Sequence, residues 1–352
     1  GGEGGWQRGG GRSRMGAGGG GWALRGRWEP FAPSARARCL SRRRPDRGPG
    51  SKTSVSRPAA HQARTAFVLS GGSSLGAIQV GMLHALMEAG IQPDFLIGTS
   101  VGAVNAAWLA GQPDLEGALK LATIWSGLRR QDIFPINPWA GAMGIFGRNN
   151  HVISNAGLRS VLEKNLPYKR LEEAKVPVHV ITTDFRTGRA VVLSSGPAVP
   201  ALLASTAIPG VFPPVTIGRR ELVDGGVANH TPIAAAIELG AQRVVVLPIG
   251  YPWVRNQPSN ALGMALHALA RLVEQRLEAE AHAYRHAADI IVLPTVDAIG
   301  VSPADFSHTQ SLIKLAYRSS RRHLASAALR PPAVKPAALR LVGAPQMAAS
   351  AA

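Results

Sequence analysis

The sequence predicts an α/β protein, a mostly parallel central sheet with helices on both faces. Three observations predict it. From Thr65 onward, short β-prone apolar runs alternate with helical stretches. Two of those runs end in glycine-rich turns that open directly into a helix. Apolar residues make up 45% of the 352-residue chain and charged residues only 17%, which is enough for a large buried core.

Taken in order, Thr65–Ser70 (Thr-Ala-Phe-Val-Leu-Ser) is the first strand, followed by the turn Gly71-Gly72-Ser73-Ser74-Leu75-Gly76. Ala77–Ala89 is a helix with Ile78, Met82, Leu86 and Met87 along one face, and Gly90 ends it. Asp94–Ile97 is the second strand, Gly98–Gly102 a tight turn, and Ala103–Ala110 a helix closed by Gly111. Further strands are expected at Val178–Thr182, Ala190–Leu193, Glu221–Val223 and Arg243–Leu247. Further helices are expected at Leu115–Leu128, Gly157–Asn165, Pro232–Leu239, Ala261–Ala288 and Thr309–Ala327.

The ends differ from this pattern. Net charge is +18, which taken alone points to a nucleic-acid binder. However, residues 1–64 hold 14 of the 39 Lys+Arg, 3 of the 21 Asp+Glu and 15 of the 40 glycines, so most of the excess sits in one segment. That segment, 1–62, has no apolar periodicity and is expected to be a disordered basic extension without a role in the fold. With no aromatic-interleaved basic patch elsewhere, the sequence argues against a nucleic-acid partner. No apolar signal core follows the arginines, so no secretory signal is expected. The Pro/Ala-rich end, 331–352, reads as a loose tail after a domain spanning 63–330. The single cysteine, Cys39, excludes an internal disulfide framework and a Cys-based zinc site. The uncharged stretch Ala190–Gly218 contains Pro197, Pro200, Pro209, Pro213 and Pro214, so it cannot be one membrane-spanning helix. These features predict a cytoplasmic protein whose only membrane contact is peripheral.

The sharpest chemical signal is Gly98-Thr99-Ser100-Val101-Gly102, a G-x-S-x-G between a strand and a helix. Glycines at Gly98 and Gly102 allow the sharp bend that lifts the Ser100 hydroxyl above the sheet at a helix N-terminus. The glycine turn Gly71–Gly76 offers successive backbone N–H groups to an anion. Its spacing is neither G-x-G-x-x-G nor a lysine-bearing phosphate loop, and an oxyanion hole fits better. Asp224-Gly225-Gly226 closes the set: a carboxylate at a strand end that another loop can approach closely.

In this order, the three motifs resemble the patatin-like phospholipase family, of bacterial type. Further resemblance lies in Thr183-Asp184-Phe185 with Gly188, in Ala204–Gly210 with Phe212-Pro213-Pro214, and from Asn229 to Pro232. The resemblance covers about residues 65–250. It implies a patatin-like three-layer fold and a lipid acyl-ester hydrolase using Ser100 as nucleophile and Asp224 as proton acceptor. Gly71, Gly72, Ser73, Ser74 and Gly76 would form the oxyanion hole, with Gly98, Gly102, Gly225 and Gly226 supporting the motifs. The implied partner is a lipid or phospholipid ester, with no metal and no cofactor. This sequence departs from the family loop at Ser73, where a glycine is usual, and at Leu75, where a basic residue is usual.

Two other readings stand beside this one. An α/β-hydrolase-type esterase would add a histidine after Asp224; His230, His267, His282, His286, His308 and His323 are available, with His308 in Asp305-Phe306-Ser307-His308 the best candidate. A non-catalytic module would keep the fold and hold an acyl chain. His282 and His286 are four apart on the expected helix, but they lack an evident third metal ligand, so a solvated face is the preferred reading. Gln131–Asn150, with Phe134, Ile136, Trp139, Met143 and Phe146 among prolines and glycines, has two readings, a lid or lipid-facing flap over the active site and a loop packed on its own domain. The stripe Leu262, Leu266, Leu269, Leu272, Val273 and Leu277 reads as core. No oligomeric state follows from the sequence.

Overall fold

A computed structural model describes residues 63–134, 151–250, 275–296, 302 and 304–326. The extension 1–62, most of the proposed lid (135–150), the first half of the expected helix 261–288 and the tail 331–352 lie outside the described residues.

The strands are β1 (Thr65–Leu69), β2 (Phe95–Thr99), β3 (Val178–Asp184), β4 (Ala190–Leu193), β5 (Val215–Ile217), β6 (Arg220–Asp224), β7 (Arg243–Leu247) and β8 (Asp289–Val292). They form one sheet in the order β5-β6-β3-β2-β1-β7-β8, with β4 paired to β3. The core strands β3, β2, β1, β7 and β8 run parallel; β4, β5 and β6 join antiparallel. Every residue of β1 is buried, as befits a central parallel strand covered on both faces.

Alternation along the strands divides the core in two. Phe67 and Leu69 of β1, Leu96 of β2 and Val245 and Leu247 of β7 pack into the larger apolar cluster. Ala66 and Val68, Phe95 and Ile97, and Val244 and Val246 pack into the smaller one. The larger face is covered by α1 (Gly76–Glu88), α2 (Val101–Gly111), α3 (Leu115–Gly127) and the late helix 309–326. Ile233 and Ala236 of the helix Ile233–Glu238, with Leu277 and Ala281 from the helical stretch 275–284, cover the other. The result is a helix–sheet–helix sandwich.

Some elements differ from the sequence expectation. The second strand begins at Phe95, not Asp94; the Asp94 carboxylate instead accepts from the Thr65 N–H at 2.6 Å and fixes the start of β1. Ala198–Ser205 is a helix despite Pro200, which lies in its first turn, where no backbone donor is needed. The expected helix to Ala288 stops at 284, and Asp289–Val292 forms the edge strand β8. The run Ala281–Ala288 holds no glycine or proline to announce that break. Among the described residues, no helix is long and apolar enough to cross a membrane.

Candidate active site

The site is assembled by register on β3. Thr99, the last residue of β2, pairs with Ile181, and Asp224, the last residue of β6, pairs with Thr182. Two strands from distant parts of the sequence therefore end on consecutive residues of one ruler. Ser100 follows Thr99 with φ 55°, a left-handed backbone conformation costly for a residue with a Cβ. The close turn requires glycine on both sides of it. A side chain at Gly102 would strike the carbonyls of Leu69 and Ser70, and one at Gly98 would strike the backbone of Gly102.

The Ser100 hydroxyl donates to Asp224 Oδ2 at 2.6 Å, and Asp224 Oδ1 accepts from the Gly226 N–H at 2.7 Å. Both side chains are buried, Ser100 to 8% exposure and Asp224 to 6%. Burial pushes the Asp224 carboxyl up to about 6, against the pull of the Ser100 and Gly226 hydrogen bonds. Thr183 Oγ1 donates to the Asp224 carbonyl at 2.8 Å and accepts from the Ala228 N–H at 3.2 Å, which fixes the aspartate loop.

The glycine loop stands opposite. The Gly71 N–H is committed to the His230 carbonyl at 3.2 Å and is turned to structure rather than to a ligand. Gly72 and Ser73 both take positive φ (154° and 53°), and Ser73–Leu75 winds into a single 3-10 turn that leads into α1. Among the described residues no acceptor takes the N–H of Gly72 or Ser73. Ser74 Oγ donates to the Ser302 carbonyl, and Leu75, at the position where the family loop usually carries a basic residue, is fully buried in the core.

A cavity of about 550 Å³, its open mouth included, begins at Ser100 and Ser73. Its wall is apolar: Val101 and Val104 of α2, Phe134, Leu158, Phe212 and Phe306 among others. Phe134, from the start of the segment read as a lid, lies in this wall, stacked at 5.5 Å on Phe212.

Supporting residues whose roles sequence reasoning misses come from apolar helices. Ser205 Oγ accepts from the Ser100 N–H at 2.9 Å and donates to the Ile181 carbonyl at 2.6 Å. Gln79 Nε2 donates to the carbonyls of Ser70 and Leu247, at 2.8 and 3.0 Å. Asn105 Nδ2 donates to Gly76 O and Gln79 Oε1, while its Oδ1 accepts from the Trp125 indole at 2.8 Å. This buried network ties both ends of the glycine loop to three helices. A polar residue interrupting an apolar helical run is the signal that could have found it.

Ser100 donates directly to Asp224, with no histidine between them; of the candidate histidines, His267 lies outside the described residues. His308 lies on the surface beside Asp305, at 3.7 Å. The ring of His230 packs beside Gly71 and Gly226, where burial holds it down at about 4, in the neutral form. His286 lies two residues past the helix end at 284; it and His282 are both exposed and both contact Arg285. No group of three metal-ligating side chains occurs among the described residues.

Serine turn, glycine loop and mostly parallel sheet together make this an α/β domain with its reactive groups at the strand ends. Residues 67–237, just under half of the chain, match the family model described as patatin-like phospholipase. Patatin-like phospholipase domain-containing protein 7 of Rattus norvegicus is 28% identical over 187 residues, which is 53% of this chain and 13% of that protein. An uncharacterized NTE family protein of Mycobacterium bovis is 28% identical over 188 residues, 53% of this chain and 49% of that one. The chain therefore matches under half the length of either relative. Among solved structures, human GIVD cytosolic phospholipase A2 is similar with a TM-score of 0.45 and 11% identity, covering 75% of this chain and 59% of that one.

Proposed function

We propose that this protein hydrolyses carboxylic esters of lipids through a covalent acyl-enzyme. The observation that carries this reading is the 2.6 Å hydrogen bond from Ser100 to a buried carboxylate at the mouth of an apolar cavity. Asp224 takes the Ser100 proton as the oxygen attacks the ester carbonyl, and the N–H groups of Gly72 and Ser73 hold the resulting oxyanion. Collapse expels the alcohol, which leaves with the proton held by Asp224. Water then attacks the acyl-serine, gives its proton to Asp224, and the carboxylic acid departs as the proton returns to Ser100. A carboxyl raised to about 6 is a stronger base than an ordinary aspartate and is still ionised at neutral pH. The apolar wall suits an acyl chain, and the match to a phospholipase family model supports a lipid source for it. A lipid of this kind implies peripheral contact with a membrane surface.

The test is labelling of the full chain by a fluorophosphonate, followed by a lipid-ester panel. Adduct formation on Ser100, with turnover abolished in Ser100→Ala, is the expected result. Retained turnover in Ser100→Ala would remove the nucleophile, and a wild type that binds acyl chains without hydrolysis would leave a carrier.

A further inference from the structure

Two hairpin tips stand at the end of the sheet that carries Ser100. Thr99 pairs with Ile181, and β3 runs three residues further, to Asp184, so its tip lies about 10 Å beyond the level of the serine turn. The connection from β3 to β4 holds Phe185, Arg186 and Arg189, and the turn from β5 to β6 holds Arg219, with Arg220 next to it. The Phe185 N–H donates to the Glu221 carbonyl at 2.9 Å, which ties the two tips side by side. Phe212, in the cavity wall, precedes β5 by three residues, so the second tip continues from that wall.

These tips expose what a protein ordinarily covers or pairs. Phe185 is 58% exposed and Val227, in the turn after Asp224, is 57% exposed; no large apolar side chain among the described residues is more so. The hydrogen bond from the Ala228 N–H to Thr183 Oγ1 holds the Val227 turn against β3, two residues short of Phe185. Arg186, Arg189, Arg219 and Arg220 are all exposed, and among the described residues none of them is in an ion pair. The Asp184 carboxylate is engaged by its own turn, where Oδ1 accepts from the N–H groups of Arg186 and Thr187 and from the Thr187 hydroxyl. The first tip is thereby already ordered, which lowers the entropy lost when a partner is bound.

We propose that the two tips seat the protein on an anionic lipid bilayer. Phe185 enters the acyl boundary while the four arginines meet lipid phosphates, which brings the Ser100 end of the sheet to the membrane. This rests on the lipid-ester reading for the identity of the substrate. A nucleic acid would satisfy the arginines but leave Phe185 and Val227 in water, so the bilayer is the better match.

The experiment measures binding of the full chain to vesicles of phosphatidylcholine alone and of phosphatidylcholine mixed with phosphatidylserine. Binding to the mixed vesicles, weakened by salt, is expected. The double variant Arg219→Gln, Arg220→Gln should bind them at least about tenfold more weakly, and Phe185→Ser about tenfold more weakly. Both variants should keep kcat/KM on a soluble short-chain ester within about twofold of wild type. The basic extension can itself attract an anionic surface, so a second readout locates the contact. An environment-sensitive fluorophore on Phe185→Cys, with Cys39→Ser, should shift to the blue on mixed vesicles. Equal binding to both vesicle types, variants that bind as wild type does, or an unshifted emission would each overturn the inference. So would binding of a duplex oligonucleotide, without vesicle binding, that the same variants lose. Tip-dependent vesicle binding without ester turnover would sustain the inference while removing the hydrolase reading; turnover with tip-independent binding would do the reverse.

Discussion

The hydroxyl of Ser205 stands between Ser100 and the sheet, taking the Ser100 N–H at 2.9 Å and giving its own proton to the Ile181 carbonyl at 2.6 Å. The backbone of a residue in a costly conformation is thereby held from the side by a buried hydroxyl. Ser205→Ala leaves a donor and an acceptor unpaired where no water reaches easily. The expected cost is about 1–3 kcal/mol of stability, read by chemical denaturation, with a loss of turnover on the order of tenfold as Ser100 loses its fixed position. Unchanged stability would show that the contact is spare.

Asp224→Asn keeps the size of the side chain and removes the proton acceptor. A positioned general base contributes roughly 10²–10⁴-fold, so kcat/KM on a short-chain ester should fall by that much. His308→Ala, at an exposed position beside Asp305, should stay within about twofold of wild type. A loss of about a thousandfold at any single histidine downstream of Asp224, with the fold intact by circular dichroism, would replace the two-residue mechanism by a triad.

Acid should act on this site in two ways. The Asp224 carboxyl is raised to about 6, so kcat/KM should rise with pH through that value and level off above it. Stability responds with the opposite sign. A carboxyl raised from its ordinary 3.8 stabilises the fold fully below 3.8, and that stabilisation, about 3 kcal/mol at most, is lost as pH rises to about 6. The His230 ring, lowered from 6.5 to about 4, contributes stability present above 6.5 and lost as pH falls toward 4. The two effects oppose each other across the same window. Asp224→Asn removes the first, so its unfolding free energy should fall on acidification through that window more steeply than that of wild type. Parallel denaturation curves against pH would contradict this.

Asn105 holds the glycine loop through Gly76 and the helices through Gln79 and Trp125. Asn105→Leu leaves the Gln79 Oε1 and the Trp125 indole N–H buried without partners and takes a second donor from the Gly76 carbonyl. A destabilisation of at least about 3 kcal/mol is expected, along with reduced fluorophosphonate labelling of Ser100 in whatever folds. Wild-type stability in this variant would mean the network is dispensable.

Much of this was legible in the sequence because glycines announce themselves. Gly98 and Gly102 mark a turn no other residue could make, and Gly71 and Gly72 mark a loop of unusual backbone. Asp224 was readable from the two glycines behind it. What brings Asp224 to Ser100 was not, since the pairing of β2 and β6 on adjacent residues of β3 joins segments more than a hundred positions apart. Gln79 and Asn105 look like isolated polar residues in apolar helices, and their value appears only when their partners surround them. The strand Asp289–Val292 was hidden for a simpler reason: alanines compatible with a helix run right up to it.

The left-handed backbone at Ser100 has a consequence for anyone engineering this protein. Glycine is the one residue that would occupy that conformation without steric penalty, so Ser100→Gly is expected to raise the melting temperature. A selection for heat tolerance alone would therefore be drawn to the one position where success deletes the hydroxyl. Screens on this scaffold must score turnover alongside thermal survival, or they will enrich robust, inert protein.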